Sequence, residues 1–360
     1  MAVTFHRLTV SSVSRLTNDA VSITFDVPTA ERAQFAFQAG QYVTVKAVID
    51  GVEQRRNYSI CSSPALDEPL AIGVKRVDGG MVSTYLHQHV APGQTLELYP
   101  PMGRFTLDAT ERPIVFYAGG SGITPILSMT KSVLATQPNR RVTLIYANRA
   151  TASVMFADAI ESLQHEHPER LHVVHVLEDN GSVSSSSYAG RLDTAMARTV
   201  LAEHVTDLQS CEHYICGPQA MMDSITSLLN NLGVASEHIH HEYFTITKHQ
   251  SDAMNHDAAS SAAEPAELKT RTVTIRLYGT ESTFSVEPDE TILTAAQRAN
   301  LDPPFACQIG ACCTCRAKLL SGKVVMDERE ALSDDEINEG YILTCQSHPI
   351  TDDVIADYDQ

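Results

Sequence analysis

The sequence predicts a multidomain chain: an antiparallel β-barrel, then an α/β unit on a parallel sheet, then a small α+β unit built around a cysteine loop. Three observations carry this expectation. From Phe5 to Tyr99, short alternating apolar runs are cut by Gly, Pro and Asp turns. From Ile114, apolar strands alternate with amphipathic helices. Near the C-terminus, Cys307, Cys312 and Cys315 stand in a C-x4-C-x2-C loop, with Cys345 far downstream.

A chain of 360 residues with 43% hydrophobic content can bury sizeable cores and divides into two or three domains. No apolar run reaches membrane-spanning length, and the start MAVTFHRLTV lacks a leader pattern, so a cytoplasmic, reducing location is expected, with no membrane partner. A net charge of −18 argues against nucleic acid as a partner, because no excess of Lys and Arg exists to neutralise phosphates. The segment 271–360 carries sixteen Asp and Glu against seven Lys and Arg, so about half of the net charge lies there. That excess reads either as ordinary solubility or as an acidic face steering a basic partner.

The runs VSITFDV, QYVTVKAV, RNYSI, LAIGVKR and TLELYP read as strands of the barrel. Among them is Arg56-Asn57-Tyr58-Ser59-Ile60, and about twenty residues later Gly79-Gly80-Met81-Val82-Ser83 opens a short helical stretch, STYLHQHV. An Arg forks onto a diphosphate, a Tyr ring covers a flat heteroaromatic face, and a Gly-rich helix start offers N–H groups to a phosphate. Singly, each piece is equally a surface strand or a turn; in company they would hold a dinucleotide.

In the middle third, IVFYAG, VTLIYAN, LHVVHVL, HYICG and HIHHEYF alternate with helical stretches such as PILSMTKSVL and QAMMDSITSLLNNLG, the pattern of βαβ units. The strand IVFYA runs into Gly119-Gly120-Ser121-Gly122-Ile123-Thr124-Pro125. Thr124 is expected to cap the next helix and Pro125 to take its first position, leaving N–H groups for a diphosphate. Because the last glycine of a full G-x-G-x-x-G is absent, the loop reads equally as a phosphate cradle or a tight packing turn. Tyr214-Ile215-Cys216-Gly217-Pro218 ends a strand at the same sheet edge, and Cys216 alone reads as a small buried hydrophobe. Asn148 and Arg149 follow the second strand, where an Arg would neutralise a 2′-phosphate and no acidic residue stands to take a 2′-hydroxyl; Arg191 is a second candidate, and a solvated Arg the alternative. His238, His240, His241 and Glu242 look like metal ligands, but strand alternation sends His240 and His241 to opposite faces, which argues against a shared metal.

From Thr247 to Thr270 the chain lacks periodic apolar residues and is rich in Ala, Ser and Asp, so 247–270 reads as a flexible tether keeping the last module at high effective concentration. Beyond it, VTIRLYG and STFSV form a hairpin and TILTAAQRAN a short helix. The cysteine spacing is that of a plant-type [2Fe–2S] centre, three thiolates from one loop and one from a distant segment, with Gly310 and Ala311 letting the backbone come close. A disulfide framework is disfavoured by the length of the chain and its lack of a leader. A structural zinc site is the alternative, although only one C-x2-C pair exists. Nothing in the spacing requires Cys313.

RNYS followed by GGMVS resembles the FAD-binding domain of the ferredoxin–NADP reductase family. The resemblance implies FAD contacts at Arg56 (pyrophosphate), Tyr58 (isoalloxazine) and Ser59 (near flavin N5). It also implies contacts at Val74 and Lys75 within Gly73-Val74-Lys75-Arg76, and at Gly80, Met81, Val82 and Ser83. GGSGITP resembles the family's NAD(P)-binding loop, implying contacts at Gly120 and Gly122 with Thr124 on the flavin side, and CGP resembles the strand end beside the nicotinamide, implying Cys216, Gly217 and Pro218; Asn148 and Arg149 join the dinucleotide set by their place after the second strand. Glu242 resembles the acidic residue near the nicotinamide, and Phe244 the aromatic that covers the flavin, where plant reductases have Tyr. The catalytic set implied is Ser59, Cys216 and Glu242, with Cys216 shaping the pocket rather than acting as a nucleophile. The last module resembles a β-grasp plant-type ferredoxin, with Cys307, Cys312, Cys315 and Cys345 as cluster ligands and Cys313 where plant ferredoxins commonly have Ser.

The expected domains are 1–108 for FAD, 109–246 for NAD(P), the 247–270 linker and 271–360 for the ferredoxin module. Electrons would pass from NADPH (or NADH) to FAD to the [2Fe–2S] cluster and on to an oxygenase component. Reductase first and ferredoxin last, with DERxALSDDEIxxGYILTCQ after the loop, resembles the reductase components that serve phenylacetyl-CoA epoxidases, di-iron oxygenases of phenylacetate catabolism. Reductases of other oxygenases or of hybrid-cluster proteins share the order, and a flavin reductase with a zinc-stabilised C-terminal module is the rival from another class.

Overall fold

The computed structural model describes residues 5–179, 187–244 and 269–360, apart from 309, 311, 330 and 333. The tether 247–270 therefore lies almost wholly outside the described residues, as does Ala311. The described chain forms two compact units, one ending at Phe244 and the other covering the C-terminal module. Among the described residues no helix is long and apolar enough to cross a membrane.

The first unit begins with six antiparallel strands: β1 (His6–Thr17), β2 (Ala20–Asp26), β3 (Tyr42–Ile49), β4 (Val52–Ser59), β5 (Ala71–Lys75) and β6 (Thr95–Met102). They order as β4-β3-β6-β1-β2-β5. An Ile60 to Ile72 bridge joins the two outer strands, so the sheet curls into a barrel. Period-2 alternation sends Leu8, Val10, Ile23, Phe25, Val43 and Val45 inward to the barrel core. β1 is absent from the strand runs read off the sequence: register shifts at Val10/Ser12 and Arg15/Thr17 break its alternation. The helix α1 (Met81–Gln88) follows β5.

The second half of this unit is a parallel sheet. Its strands are β7 (Ile114–Gly119), β8 (Val142–Asn148), β9 (Leu171–Leu177), β10 (Ser187–Ala189), β11 (Glu212–Cys216) and β12 (Ile239–Glu242), in the order β10-β9-β8-β7-β11-β12. Helices α2 (Ile123–Thr136), α3 (Ala157–Glu166), α4 (Thr194–His204) and α5 (Gln219–Asn231) cover it. Every residue of β7 and β11 is buried, as expected for central strands covered on both faces. The chain goes from β7 to β8 on one side and later to β11 on the other. The topological switch point therefore lies at the C-terminal ends of β7 and β11, where open α/β sheets take ligands.

The second unit has a five-stranded sheet ordered β14-β13-β19-β15-β17, from β13 (Arg271–Leu277), β14 (Thr280–Val286), β15 (Arg316–Ser321), β17 (Tyr341–Leu343) and β19 (Val354–Asp357). A ribbon pairs β16 (Val324–Met326) with β18 (Ser347–Pro349). Helix α6 (Ile292–Arg298) buries Ile292, Ala295 and Ala296 against Val273, Ile275 and Ala356. A one-turn helix, α7 (Asp334–Asn338), precedes β17. A mixed sheet with one helix lying across it is the β-grasp arrangement expected from the sequence.

Candidate functional site

Three strand ends meet at the switch point. Cys216 pairs in register with Ala118 of β7 and with Glu242 of β12, so the three lie in one row at the sheet's C-terminal edge. From the barrel, the Ser59 hydroxyl donates to Glu242 Oε2 at 3.3 Å. Residues 183 positions apart thus join the RNYS strand to the last strand of the sheet. Burial raises the Glu242 carboxyl to about 8, and the Ser59 hydrogen bond opposes that rise. Burial, then the Glu242 charge, pushes the Cys216 thiol well above the ordinary thiol range, so it stays protonated at neutral pH. Phe244 packs, partly buried, on the core shared by β7, β8 and α2.

The glycine loop is a tight packing turn. A Cβ at Gly122 would lie 2.0 Å from the Cys216 carbonyl oxygen, so the GGSG and CGP backbones touch. Gly120 sits at φ +52° with its carbonyl accepting from the Tyr146 hydroxyl at 3.1 Å, and Lys75 Nζ of the barrel lies beside it. The expected Thr124 cap is not formed. α2 starts two residues earlier, with Gly122 as N-cap, which has no side chain to offer, and Thr124 Oγ1 instead donates back to the Ser121 carbonyl at 2.9 Å. Pro125 consequently falls in the first turn rather than at its first position. Thr124 is buried because its methyl fills the space where Gly73 lacks a Cβ, at 2.3 Å from that position. Three further links hold α2 to the barrel: Ser128 Oγ to the Ser62 carbonyl at 2.6 Å, Ser63 to Ser132 at 2.8 Å, and Lys131 to Glu68 at 2.9 Å.

At the end of β8, Asn148 is buried facing the Tyr146 hydroxyl, yet its amide makes no well-formed hydrogen bond. A buried orphaned amide beside a glycine loop at a switch point fits a pyridine dinucleotide. Arg149 is exposed, its carbonyl accepting from the Asp179 N–H at 2.7 Å. Arg191 is already paired to Glu178 at 3.2 Å. The His238 to Glu242 stretch divides by face. His238 and His240 reach Glu212 at 2.8 and 2.9 Å, whereas His241 meets Thr226 on α5.

On the barrel, Arg56 is exposed and Tyr58 half-buried, its phenol pushed above the ordinary range by burial against the pull of Arg56. The N-cap of α1 is Gly80, which has no side-chain cap. Ser83 instead accepts from the Val77 N–H at 3.1 Å and folds the 77–83 loop back on itself. Met81 and Val77 are exposed on either side. First-turn N–H groups without a side-chain acceptor suit a pyrophosphate, and the set fits FAD. Val74 and Val82 are buried in the barrel core, so what they offer outward is backbone.

In the second unit the four cysteines form a ring of neighbours. Cys307 lies beside Cys312 and Cys315 beside Cys345, with Cys312 and Cys315, and Cys307 and Cys345, close enough to feel each other's charge. Hydrogen bonding to its partner, then burial, raises both Cys312 and Cys315 well above the ordinary thiol range. The bond from Cys315 in turn lowers Cys345, and four sulfurs brought this close can all ionise only with compensating cations between them, which fits an iron–sulfur cluster. Cys313 points away, its thiol donating to the Ala331 carbonyl at 2.7 Å. Two residues escaped the sequence reading. They are Tyr146, whose hydroxyl donates to the Gly120 carbonyl, and Gln346, whose side-chain amide reaches Cys345.

A flavin barrel, a dinucleotide sheet and a four-thiol module in one chain define a pyridine-nucleotide-dependent electron-transfer reductase. Three family descriptions match in that order: "Oxidoreductase FAD-binding domain" over residues 7–107, "Oxidoreductase NAD-binding domain" over 116–227 and "2Fe-2S iron-sulfur cluster binding domain" over 275–349. The chain is 38% identical over 360 residues to a subunit of the 1,2-phenylacetyl-CoA epoxidase of Escherichia coli (strain K12), covering 99% of this chain and 98% of that one. It is 36% identical over 346 residues to the ferredoxin reductase component of 3-ketosteroid-9-alpha-monooxygenase of Rhodococcus rhodochrous, covering 96% and 94%. Among solved structures, phthalate dioxygenase reductase superposes with a TM-score of 0.61 at 26% identity, covering 98% of both chains. The chain belongs to the family of three-domain reductase components that carry electrons from a pyridine nucleotide through FAD and [2Fe–2S] to an oxygenase component.

Proposed function

We propose that this reductase serves a di-iron epoxidase acting on a phenylacetyl-CoA ring. The observation that carries the reading is the 38% identity to the epoxidase subunit of Escherichia coli, which runs through all three domains without truncation. Reconstitution tests it. With the epoxidase oxygenase component, NAD(P)H oxidation should become dependent on phenylacetyl-CoA and yield epoxide in equal amount; oxidation indifferent to that substrate overturns the assignment. The second reading is a reductase for another oxygenase, favoured by relatives that serve a steroid monooxygenase and a glycine betaine monooxygenase.

When bound, FAD converts a two-electron hydride into the single electrons that a [2Fe–2S] centre accepts. The protein's part is to bind, orient and hold protons. Arg56 and the first turn of α1 offer donors to a pyrophosphate, the Tyr58 ring offers a flat apolar face, and Val74 and Lys75 offer backbone along β5. Gly120, Gly122, Asn148, Gly217 and Pro218 line the nicotinamide side, and the small protonated Cys216 leaves room for a ring. Glu242 holds a proton at neutral pH and shares a hydrogen bond with Ser59 Oγ, so a proton can be kept at that hydroxyl without a charged carboxylate in the pocket. Cys307, Cys312, Cys315 and Cys345 are the cluster ligands. We assign NADPH as the preferred donor on the exposed Arg149 at the end of β8, with Arg191, ion-paired to Glu178, as the second candidate. Arg149→Ala should raise KM for NADPH and leave that for NADH; an unchanged ratio overturns the assignment.

A further inference from the structure

We infer that Gln346 is a positioning residue that sets the reduction potential of the cluster by donating its side-chain amide to the fourth ligand. Gln346 is 3% exposed and follows Cys345 directly. Its Nε2 lies 3.6 Å from Cys345 Sγ, 2.8 Å from the Cys345 carbonyl oxygen and 3.1 Å from the Gln308 carbonyl oxygen. One amide therefore ties the segment of the fourth ligand to the loop that presents the other three.

The orientation of that amide is fixed by chemistry. Two carbonyl oxygens face the same terminal atom, and a carbonyl cannot donate, so the atom between them must be the NH2 group. Turning the amide over would set oxygen against two oxygens. The side chain is also held sterically. Gly310 sits at φ +77°, and a Cβ there would meet Gln346 Cγ at 3.2 Å, so the loop lies flush on it. A buried, immobile N–H donor beside a ligating sulfur stabilises whichever redox state carries more negative charge on that sulfur. That is the reduced state, so the amide raises the potential.

The proposal rests on the cluster assignment, and the test keeps the two apart. Gln346→Met keeps length and volume but removes the donor, and Gln346→Glu replaces the donor with an acceptor. Iron and sulfide content and the visible spectrum establish loading in each full-length variant, and an anaerobic redox titration followed by the cluster's paramagnetic signal reads the potential. Relative to the wild type, Gln346→Met should be harder to reduce by about tenfold in the one-electron equilibrium, which is about 59 mV. Gln346→Glu should fall further. Wild-type protein carrying 15N in its glutamine side-chain amides gives a second readout that needs no substitution: the reduced cluster should show a hyperfine coupling to an amide nitrogen. Loaded variants with wild-type potentials, or labelled protein without that coupling, overturn the role of Gln346. Wild-type protein without iron would instead overturn the cluster assignment.

Discussion

At the residue scale, the Ser59–Glu242 contact is where chemistry and stability meet. Because folding raises the Glu242 carboxyl from 4.5 to about 8, the native state favours the protonated form. That contribution is fully present below about 4.5 and is lost as pH rises through about 8. Glu242→Gln keeps the shape without the titration. Its melting temperature should therefore pull ahead of the wild type as pH rises across this window, and a gap independent of pH would show that Glu242 does not titrate there. The same substitution should flatten the pH profile of hydride transfer near 8. Ser59→Ala removes the hydrogen bond that opposes the rise, so the inflection should move above 8 and the hydride step should slow by about tenfold, or about 1.4 kcal/mol. Rapid mixing of the reduced nucleotide with the oxidised protein reads both.

At the element scale, α2 is the part most constrained by its neighbours. From Ile123 to Thr130 every residue is buried, because the helix lies between the parallel sheet and the barrel. A helix buried on both sides must pair its polar side chains, as Ser128 and Ser132 do with the barrel. Gly73→Ala sets a new Cβ against the Thr124 methyl and should cost about 1–3 kcal/mol in denaturant unfolding. Adding Thr124→Ser removes that methyl and should restore most of the loss; a double variant no better than the single one would place the strain elsewhere. Gly122→Ala should be more damaging, since the new Cβ meets the Cys216 backbone, which cannot swing aside. Its effect should appear both as lost stability and as a raised KM for the nucleotide, because the same backbone contact shapes the pocket.

At the scale of the whole molecule, the three modules do separable work. Cys345→Ser removes the thiol assigned as the fourth ligand and should abolish electron delivery to an oxygenase component. Reduction of ferricyanide by NAD(P)H, which needs only the flavin barrel and the dinucleotide sheet, should persist. Loss of both activities together would mean that the cluster module supports the fold of the other two.

Much of this was legible in the chain alone. The cysteine spacing, RNYS and GGMVS, and the strand–helix alternation after Ile114 are local patterns, and local chemistry dictates them: thiolates at loop spacing, donors at a helix start, apolar runs of strand length. Where local pattern and packing disagree, the sequence misleads. Thr124 has the composition of a cap but is drawn inward by the gap at Gly73, so the helix starts at a glycine instead. β1 is hidden because its two register shifts break the alternation by which a strand is read. That GGSG packs as a tight turn was shown only by the Cys216 carbonyl lying against Gly122. The sequence by itself determined the three modules and their cofactor classes, because those depend on residue type and short-range spacing. Tertiary structure alone decided that Ser59 meets Glu242, that Asn148 is buried with an unsatisfied amide and that Gln346 reaches the sulfur of Cys345, because each of these depends on what the fold sets beside a side chain: a partner far along the chain, buried surroundings, or the ligand loop packed over it.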